Sequence, residues 1–309
     1  MLSRFSIVGL IVLAFLSGYW LRGVVWWPST PSNAINYIAQ SRISTLADVE
    51  RERRVALLSI FGGSLPTDLP SEVRPMNAVY GAASALELVS GQSYFLVPKN
   101  PNGKLFIWHA GHWQDVLTHD AQLLGALLDL GFHVIAMNMP SIPHEEAQGL
   151  DPFLRPVAVS LNYAETRGFR TAVMAGLSGG GWTTTVYSAL DRRITASIPI
   201  AGSLPLGIPD ATRDYEQFLP GLYLDYLDLY LMASSDGHRQ TQILNSHDVC
   251  CFKGVYSDLY REFAVEASRS LGGRFEVIVA NRSEHSVPMR EFLGTIQSLA
   301  ESNSSLSHQ

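Results

Sequence analysis

The sequence is short of charged residues and nearly free of cysteine. Asp, Glu, Lys and Arg make up 16% of its 309 residues, hydrophobic residues make up 47%, and the formal net charge is -6. Intrinsic disorder is therefore not expected outside the ends, since disordered chains carry few apolar residues. No run of Lys or Arg follows the N-terminal segment, so no nucleic-acid partner is expected. The short basic patch at residues 51–54 contains an acid and predicts a solvated helix face.

The two cysteines, Cys250 and Cys251, are neighbours in the chain. A bond between neighbours departs far from ordinary disulfide geometry. They are therefore interpreted either as free, buried thiols or as an unusual vicinal pair, with a role in packing. The nearby His247 and Asp248 complete no recognised ligand pattern, and neither a metal nor a cofactor is predicted.

An apolar run covers residues 5–21, between Arg4 and Arg22, and Trp and Tyr cluster at its far end. Its length is at the short limit for a spanning helix, and the aromatic cluster is typical of a membrane interface. Residues 1–27 are therefore predicted to form a hydrophobic helix that anchors the chain. A cleaved signal peptide is the alternative, although no clear A-x-A site is present. In either case the remainder is predicted to be extracytoplasmic, and it is secreted if the segment is cleaved.

Beyond this segment the chain divides into a connector, one large domain and a short tail. The connector, residues 28–76, contains several prolines and one amphipathic helix predicted over residues 43–60. A hairpin is predicted at residues 85–89 and 94–97. Strands are then predicted at residues 105–108, 133–137, 171–175, 194–200, 242–245 and 275–280. Helices are predicted at residues 121–130, 151–165 with Asp151 as the cap, 181–190 and 256–271.

This order predicts an α/β domain over residues 77–301, with a mostly parallel central sheet, an antiparallel edge and helices on both faces. Residues 302–309 are predicted to be a polar tail. No internal repeat is visible.

Residues 176–180, with the sequence GLSGG, follow one predicted strand and precede a predicted helix. A G-x-S-x-G turn in this setting is typical of a nucleophile elbow, which exposes the serine oxygen on a tight turn. Glycines are needed beside Ser178 because the strand and the helix approach so closely. The pattern alone arises by chance, and the strand, turn, helix and strand context is what favours the elbow.

With its HAGH loop at residues 109–112 and an acid and a histidine in its last third, the chain resembles the α/β-hydrolase fold over residues 84–300. That resemblance implies a triad in the chain order serine, acid and histidine. Asp248 follows the predicted strand 242–245, and His285 follows the strand 275–280. The competing acids are Asp210, Asp214, Asp225 and Asp228, and His247 is a weaker candidate for the histidine.

The three residue types have distinct tasks. A neutral His285 would take the proton of Ser178, and Asp248 would fix the imidazole tautomer. The oxyanion donors are predicted to be the backbone of Gly179 and that of His112, with Gly111 as the alternative to His112. The loop departs from the HGGG form of many lipases, which leaves the second donor open. No carboxylate or thiol set completes a metal site with His109 and His112.

Residues 204–236 lie where this family often inserts a short cap. Leu219, Tyr223, Tyr226 and Tyr230 fall on one predicted helical face, which is interpreted as core rather than pocket. The predicted function is a serine hydrolase, specifically a carboxylesterase that forms an acyl-enzyme with a small or medium ester. The alternatives are a peptidase of the same fold and a non-catalytic module that binds a ligand or partner.

Overall fold

The structure, a computed structural model, describes residues 41–77, 79–142, 148–208 and 222–304, together with Asp210 and Gln217. The predicted hydrophobic helix at residues 1–27 lies outside these residues. Within the described part of the chain, no helix combines the length and the apolar character that crossing a membrane requires.

Nine strands form one sheet in the order β1-β2-β3-β5-β4-β6-β7-β8-β9. Strands β1, β2 and β3 pair antiparallel, and β3 also pairs antiparallel with β5. The six strands β5, β4, β6, β7, β8 and β9 run parallel to one another. Within the described residues the strands are β1 Arg74–Met76, β2 Ser84–Val89, β3 Ser93–Val97, β4 Leu105–His109, β5 His133–Met137, β6 Ala172–Leu177, β7 Ile194–Ile200, β8 Arg239–Asn245 and β9 Arg274–Ala280. The predicted mostly parallel sheet with an antiparallel edge is confirmed.

Eight α-helices of the described residues accompany the sheet. They are α1 Leu46–Phe61, α2 Val116–His119, α3 Ala121–Asp129, α4 Asp151–Thr166, α5 Gly179–Leu190, α6 Tyr226–Ala233, α7 Arg261–Ser270 and α8 Met289–Ser304. A 3-10 helix, Gly254–Leu259, precedes α7.

The core lies on both faces of the sheet because side chains alternate along each strand. On β4, Leu105 and Ile107 belong to one apolar cluster, together with residues of α1, α4, α5 and α6. Phe106 and Trp108 belong to the other, with residues of α3 and α8. All four side chains are almost fully buried, and such burial contributes on the order of 2 kcal/mol per side chain. The helices therefore cover both faces.

Helix α1 starts three residues later than predicted because Thr45 caps it. Thr45 and Asp48 form a reciprocal capping box, and the helix ends at Gly62, whose φ of 80° suits a residue without a side chain. The predicted solvated face at residues 51–54 is wrong for Glu52 and Arg53, which are 8% and 6% exposed. Arg53 contacts two neighbouring helices. Its guanidinium donates to the carbonyl oxygens of Ala189, at 3.0 Å, and Met232, at 3.4 Å, and so ties α1 to the ends of α5 and α6.

Two helix boundaries also differ from the prediction. Asp151 is the first residue of α4 rather than its cap, and its carboxylate receives hydrogen bonds from Arg155. The helix predicted over residues 256–271 is split, because Tyr260 leaves helical geometry with a φ of -136°. Its hydroxyl donates to the side chain of Gln242 inside the core, and this tertiary contact prevails over the local helical pattern.

Candidate active site

Ser178 occupies the turn between β6 and α5 in a strained backbone conformation. Its φ is 56° and its ψ is -120°, which is uncommon for a residue with a side chain. The turn is fixed on both sides: the Ser178 N–H donates to the Ile200 carbonyl at 2.9 Å, and the Trp182 N–H donates to the Ser178 carbonyl at 2.8 Å. The side chain is half-buried. This strand, strained turn and helix form the geometry of a nucleophile elbow.

The glycines around Ser178 leave no room for side chains. A Cβ atom on Gly180 would lie 2.1 Å from the His109 carbonyl oxygen, and one on Gly181 would lie 2.5 Å from that of Ile200. A Cβ atom on Gly176 would lie 2.4 Å from the carbonyl oxygen of Gly180. Glycine is therefore required at these positions, because two backbone segments are in contact there.

The sheet register brings three loops to one edge. Leu177 of β6 is aligned with Ile200 of β7, which is aligned with Ile243 of β8. Asn245 of β8 is aligned with Ala280 of β9. Since these strands are parallel, the loops that carry Ser178, Asp248 and His285 all leave from the carboxyl edge of the sheet, where open α/β sheets bind ligands.

Asp248 and His285, from the last two of these loops, are in direct contact. Nδ1 of His285 lies 2.9 Å from Oδ2 and 3.0 Å from Oδ1 of Asp248, whose side chain is fully buried. The carboxylate also accepts from the Asn245 amide at 3.0 Å and from the backbone N–H groups of Cys250 and Cys251 at 2.9 and 3.3 Å. Burial alone would raise the pKa of Asp248, but these hydrogen bonds, led by that from His285, hold its pKa below the usual value.

The far nitrogen of His285 is available as a proton acceptor. When Nδ1 donates to the carboxylate, the neutral ring carries a lone pair on Nε2. This atom is buried and has no hydrogen-bond partner among the described residues, so no hydrogen bond joins it to Ser178 Oγ. Catalytic hydrogen bonds are often long before substrate binds. The structure thus brings Asp248 and His285 together and places Ser178 at the same sheet edge.

The loop after β4 lies against the elbow. A Cβ atom on Gly111 would lie 3.2 Å from the Ser178 Cβ, and one on Gly179 would lie 2.6 Å from Cε1 of the His112 ring. The Gly111 N–H donates to the Gln114 side chain at 3.2 Å. Three predicted oxyanion candidates, Gly179, His112 and Gly111, therefore surround one side of Ser178.

His109, at the end of β4, is fully buried beneath this loop. Its Nδ1 lies 2.9 Å from the Ala110 carbonyl oxygen. Burial lowers its pKa to about 4, so the ring is neutral at pH 7.

Other candidates from the sequence have different surroundings. Asp225 caps α6, Asp228 accepts from Ser41 at 2.6 Å, and Asp210 pairs with Lys253 at 3.3 Å. Nδ1 of His247 lies 3.0 Å from the Ser246 hydroxyl. Asp214 lies outside the described residues.

The predicted aromatic face at residues 204–236 is only partly present. Helix α6 begins at Tyr226, so Tyr223 does not belong to its face and is 67% exposed. Tyr226 and Tyr230 are buried in the core, as interpreted from the sequence. Leu219 lies outside the described residues.

Sequence reasoning missed two supporting residues and left the cysteines open. Asn245 was not singled out, although a polar amide at the end of an apolar strand, three residues before the acid, could have indicated a partner for Asp248. Gln114 carried no comparable signal. Cys250 and Cys251 are joined in a vicinal disulfide, with Cys250 exposed and Cys251 buried.

With this sheet order and elbow, the chain has the α/β-hydrolase fold. Compared with solved structures, it is similar to the methylesterase BT1017, with a TM-score of 0.59 and 14% identity over 86% of this chain and 67% of that one. It is also similar to an acetyl xylan esterase from Paenibacillus sp. R4, with a TM-score of 0.56 and 15% identity over 87% of this chain and 98% of that one. By sequence, the chain matches no protein-family model and no curated protein.

Proposed function

We propose that the protein is a serine hydrolase that cleaves small or medium carboxylic esters through an acyl-enzyme. The observation that carries this proposal is the strained Ser178 at an elbow on the sheet edge from which the hydrogen-bonded Asp248 and His285 also project. A serine hydroxyl is a poor nucleophile by itself and needs an adjacent base. Nε2 of His285 is buried and has no hydrogen-bond partner in the described part of the chain, which supports its assignment as that base.

In the proposed mechanism, His285 transfers protons and Asp248 stabilises the charge that forms on the imidazole. Nε2 of His285 takes the Ser178 proton as the oxygen attacks the ester carbonyl, and then gives this proton to the departing alcohol. Asp248 holds the Nδ1 tautomer and stabilises the imidazolium. Water, activated by the same Nε2, then releases the acid from the acyl-enzyme and regenerates Ser178.

The oxyanion of each tetrahedral intermediate would be bound by backbone N–H groups. Gly179 begins helix α5, and the first N–H groups of a helix have no partner within it. The second donor is the N–H of His112 or, alternatively, that of Gly111, which donates to Gln114 in the structure. Each such donor is worth about 3 kcal/mol in the transition state.

The names of the two similar structures favour an ester over a peptide. One is a methylesterase and the other an acetyl xylan esterase, and both share the fold at TM-scores above one half. We therefore place a carboxylic ester before a peptide bond as the substrate class.

Reaction with a fluorophosphonate probe tests this proposal. The folded wild type should be labelled covalently, and Ser178→Ala should not. Ser270→Ala, which removes an exposed helical serine, is the matched control and should label like the wild type. A folded wild type that resists the probe would instead indicate a non-catalytic binding module. Turnover of p-nitrophenyl esters of graded chain length would then measure the acyl preference.

A further inference from the structure

The vicinal disulfide lies immediately after the acid of the proposed triad. Cys250 and Cys251 follow Asp248 by two and three residues, and they are the only cysteines of the chain. A serine hydrolase mechanism makes no use of a disulfide, so this bond needs a separate explanation.

The disulfide loop wraps the Asp248 carboxylate. Oδ1 of Asp248 accepts from the N–H of Cys250 at 2.9 Å and from that of Cys251 at 3.3 Å, and it also lies 3.0 Å from Nδ1 of His285. Asp248 is fully buried, so these hydrogen bonds replace the solvation that water would otherwise give its charge. The orientation of the carboxylate toward His285 therefore depends on where the two amides point.

The covalent bond constrains these amides. Joining neighbouring residues closes a small ring that contains the Cys251 nitrogen and carries the Cys250 nitrogen as a substituent. Opening the ring restores rotation about the bonds between the two residues and loosens both donors. The Cys251 sulfur lies 4.0 Å from Nδ1 of His285, so a change at this sulfur also acts directly on the imidazole.

We propose that the Cys250–Cys251 disulfide is a positioning element that holds the Asp248 carboxylate against His285, so that a dithiol reductant reversibly lowers turnover. This proposal rests on the proposed function for its effect on turnover. It extends that function to regulation of the same site by the thiol–disulfide state of the surroundings.

The exchange has a defined direction because Cys250 is exposed and Cys251 is buried. A thiolate of the dithiol attacks the exposed Cys250 sulfur, forms a mixed disulfide there and expels the buried Cys251 thiolate. The second thiol of the reductant then displaces Cys250 and becomes a disulfide itself. Two electrons and two protons pass to the protein, which ends with two thiols.

The test compares oxidised and reduced forms of the full chain. The protein is reduced with dithiothreitol and desalted without oxygen, since free thiols attack activated esters themselves, and the gain of two hydrogens is checked by mass spectrometry. We expect kcat to fall about tenfold with KM nearly unchanged, the effect of losing one hydrogen bond to a charged group. Reoxidation should restore kcat. The double variant Cys250→Ser, Cys251→Ser should have a low kcat that dithiothreitol does not change.

A spectroscopic measurement separates positioning from a merely structural role. In the oxidised protein, the proton shared by Nδ1 of His285 and Asp248 should give a low-field NMR signal, which Asp248→Asn removes. Reduction should shift or broaden this signal while circular dichroism stays that of a folded protein. Unchanged kcat and an unchanged signal in fully reduced, folded protein would overturn the proposal. A wild type without esterase activity would contradict the proposed function alone, since the NMR signal still tests the positioning.

Discussion

Asp248 is a buried charge with a full set of donors. Its fully buried carboxylate is held by a histidine, an asparagine and two backbone N–H groups. Burying a carboxylate without such partners would cost several kcal/mol. This residue is therefore built to stay ionised beside an imidazole, which is what the acid of a triad must do.

Replacing Asp248 by Asn tests this role. The amide is nearly isosteric, but it can donate to Nδ1 and so favours the wrong imidazole tautomer. We expect kcat for ester hydrolysis to fall about ten-thousand-fold while the fold is retained. Asp258→Asn, at an exposed carboxylate that pairs with Arg261, is the matched control and should keep wild-type kcat. Wild-type turnover in Asp248→Asn would move the acid elsewhere.

We expect the buried His109 to make the fold sensitive to acid. Burial lowers its pKa to about 4. Between about pH 6.5 and pH 4, the unfolded chain therefore binds a proton at this residue and the native chain does not. The free energy of unfolding should therefore decrease as the pH falls from about 6.5 to about 4, by up to about 3 kcal/mol from this residue.

Denaturant unfolding at a series of pH values measures this loss. His109→Asn keeps an N–H group near the Ala110 carbonyl and cannot be protonated, so its unfolding free energy should fall less steeply over the same range. The comparison is of slopes, because the variant also changes packing at every pH. Equal slopes in the two proteins would show that His109 does not set the acid sensitivity.

Local patterns carried the predictions for individual residues. Ser178 was predicted because its glycines and flanking strand indicate a tight turn, and Asp248 and His285 were predicted from their places after late strands. The structure joins Asp248 and His285 by hydrogen bonds and places Ser178 at the same sheet edge, and the roles of all three stay predictions. Asn245 and the disulfide were not, since their roles depend on contacts across the sheet edge that no local pattern encodes.

Among the elements, the strand β6, the turn and the helix α5 depend on close backbone contact. The helix begins directly at Gly179, and its next two residues touch the backbone of β4 and β7. The elbow is therefore held by the neighbouring strands as well as by contacts among its own residues.

Gly180→Ala should disrupt this element. Its Cβ would lie 2.1 Å from the His109 carbonyl oxygen, a backbone atom that cannot rotate away. We expect a loss of about 3 kcal/mol in unfolding free energy, together with loss of fluorophosphonate labelling.

The matched control is Gly294→Ala, in the exposed part of α8, where an added Cβ meets nothing within 4 Å. There alanine should stabilise the protein by about 0.5 to 1 kcal/mol and leave labelling unchanged. Equal unfolding free energies for the two alanine variants would contradict the conclusion that close backbone contacts hold the elbow.

Elements were predicted well where burial makes a pattern continuous and less well where distant contacts set their ends. The buried strands β5 and β7 have the predicted bounds. The helix predicted over residues 256–271 is split because Tyr260 turns into the core toward Gln242, a contact that its own segment does not reveal.

For the whole molecule, the order of the parallel strands is what brings the candidate residues to one edge. The loops that carry Ser178, Asp248 and His285 all leave from the same edge of the sheet because β6 to β9 are adjacent and parallel. The alternation of strands and helices predicted this class of sheet. It did not predict that α1 packs against α5 and α6, where apolar residues share one cluster and the buried Arg53 adds hydrogen bonds to the ends of both helices.

We propose that the N-terminal segment anchors the chain in a membrane and that the candidate active site lies outside the cytoplasm. Residues 5–21 form an apolar run that is followed by Arg22. The described residues begin at Ser41, where the Ser41 hydroxyl and the Arg42 N–H both donate to the carboxylate of Asp228. A chain that begins at Ser41 keeps these bonds. It should therefore fold, hydrolyse esters like the full chain and appear in the soluble fraction of expressing cells.

The full chain should remain in the membrane pellet after a carbonate wash, because the burial of about 17 apolar residues in lipid is not reversed by alkali. The mass of the purified full-length product distinguishes an uncleaved anchor from a signal peptide, since cleavage would remove the apolar run. An uncleaved chain that washes off the membrane would contradict the anchor, as would a truncated chain that stays in the pellet. Because a disulfide persists in oxidising compartments, thiol labelling of Cys250 and Cys251 in intact cells, before and after reduction, checks the orientation independently.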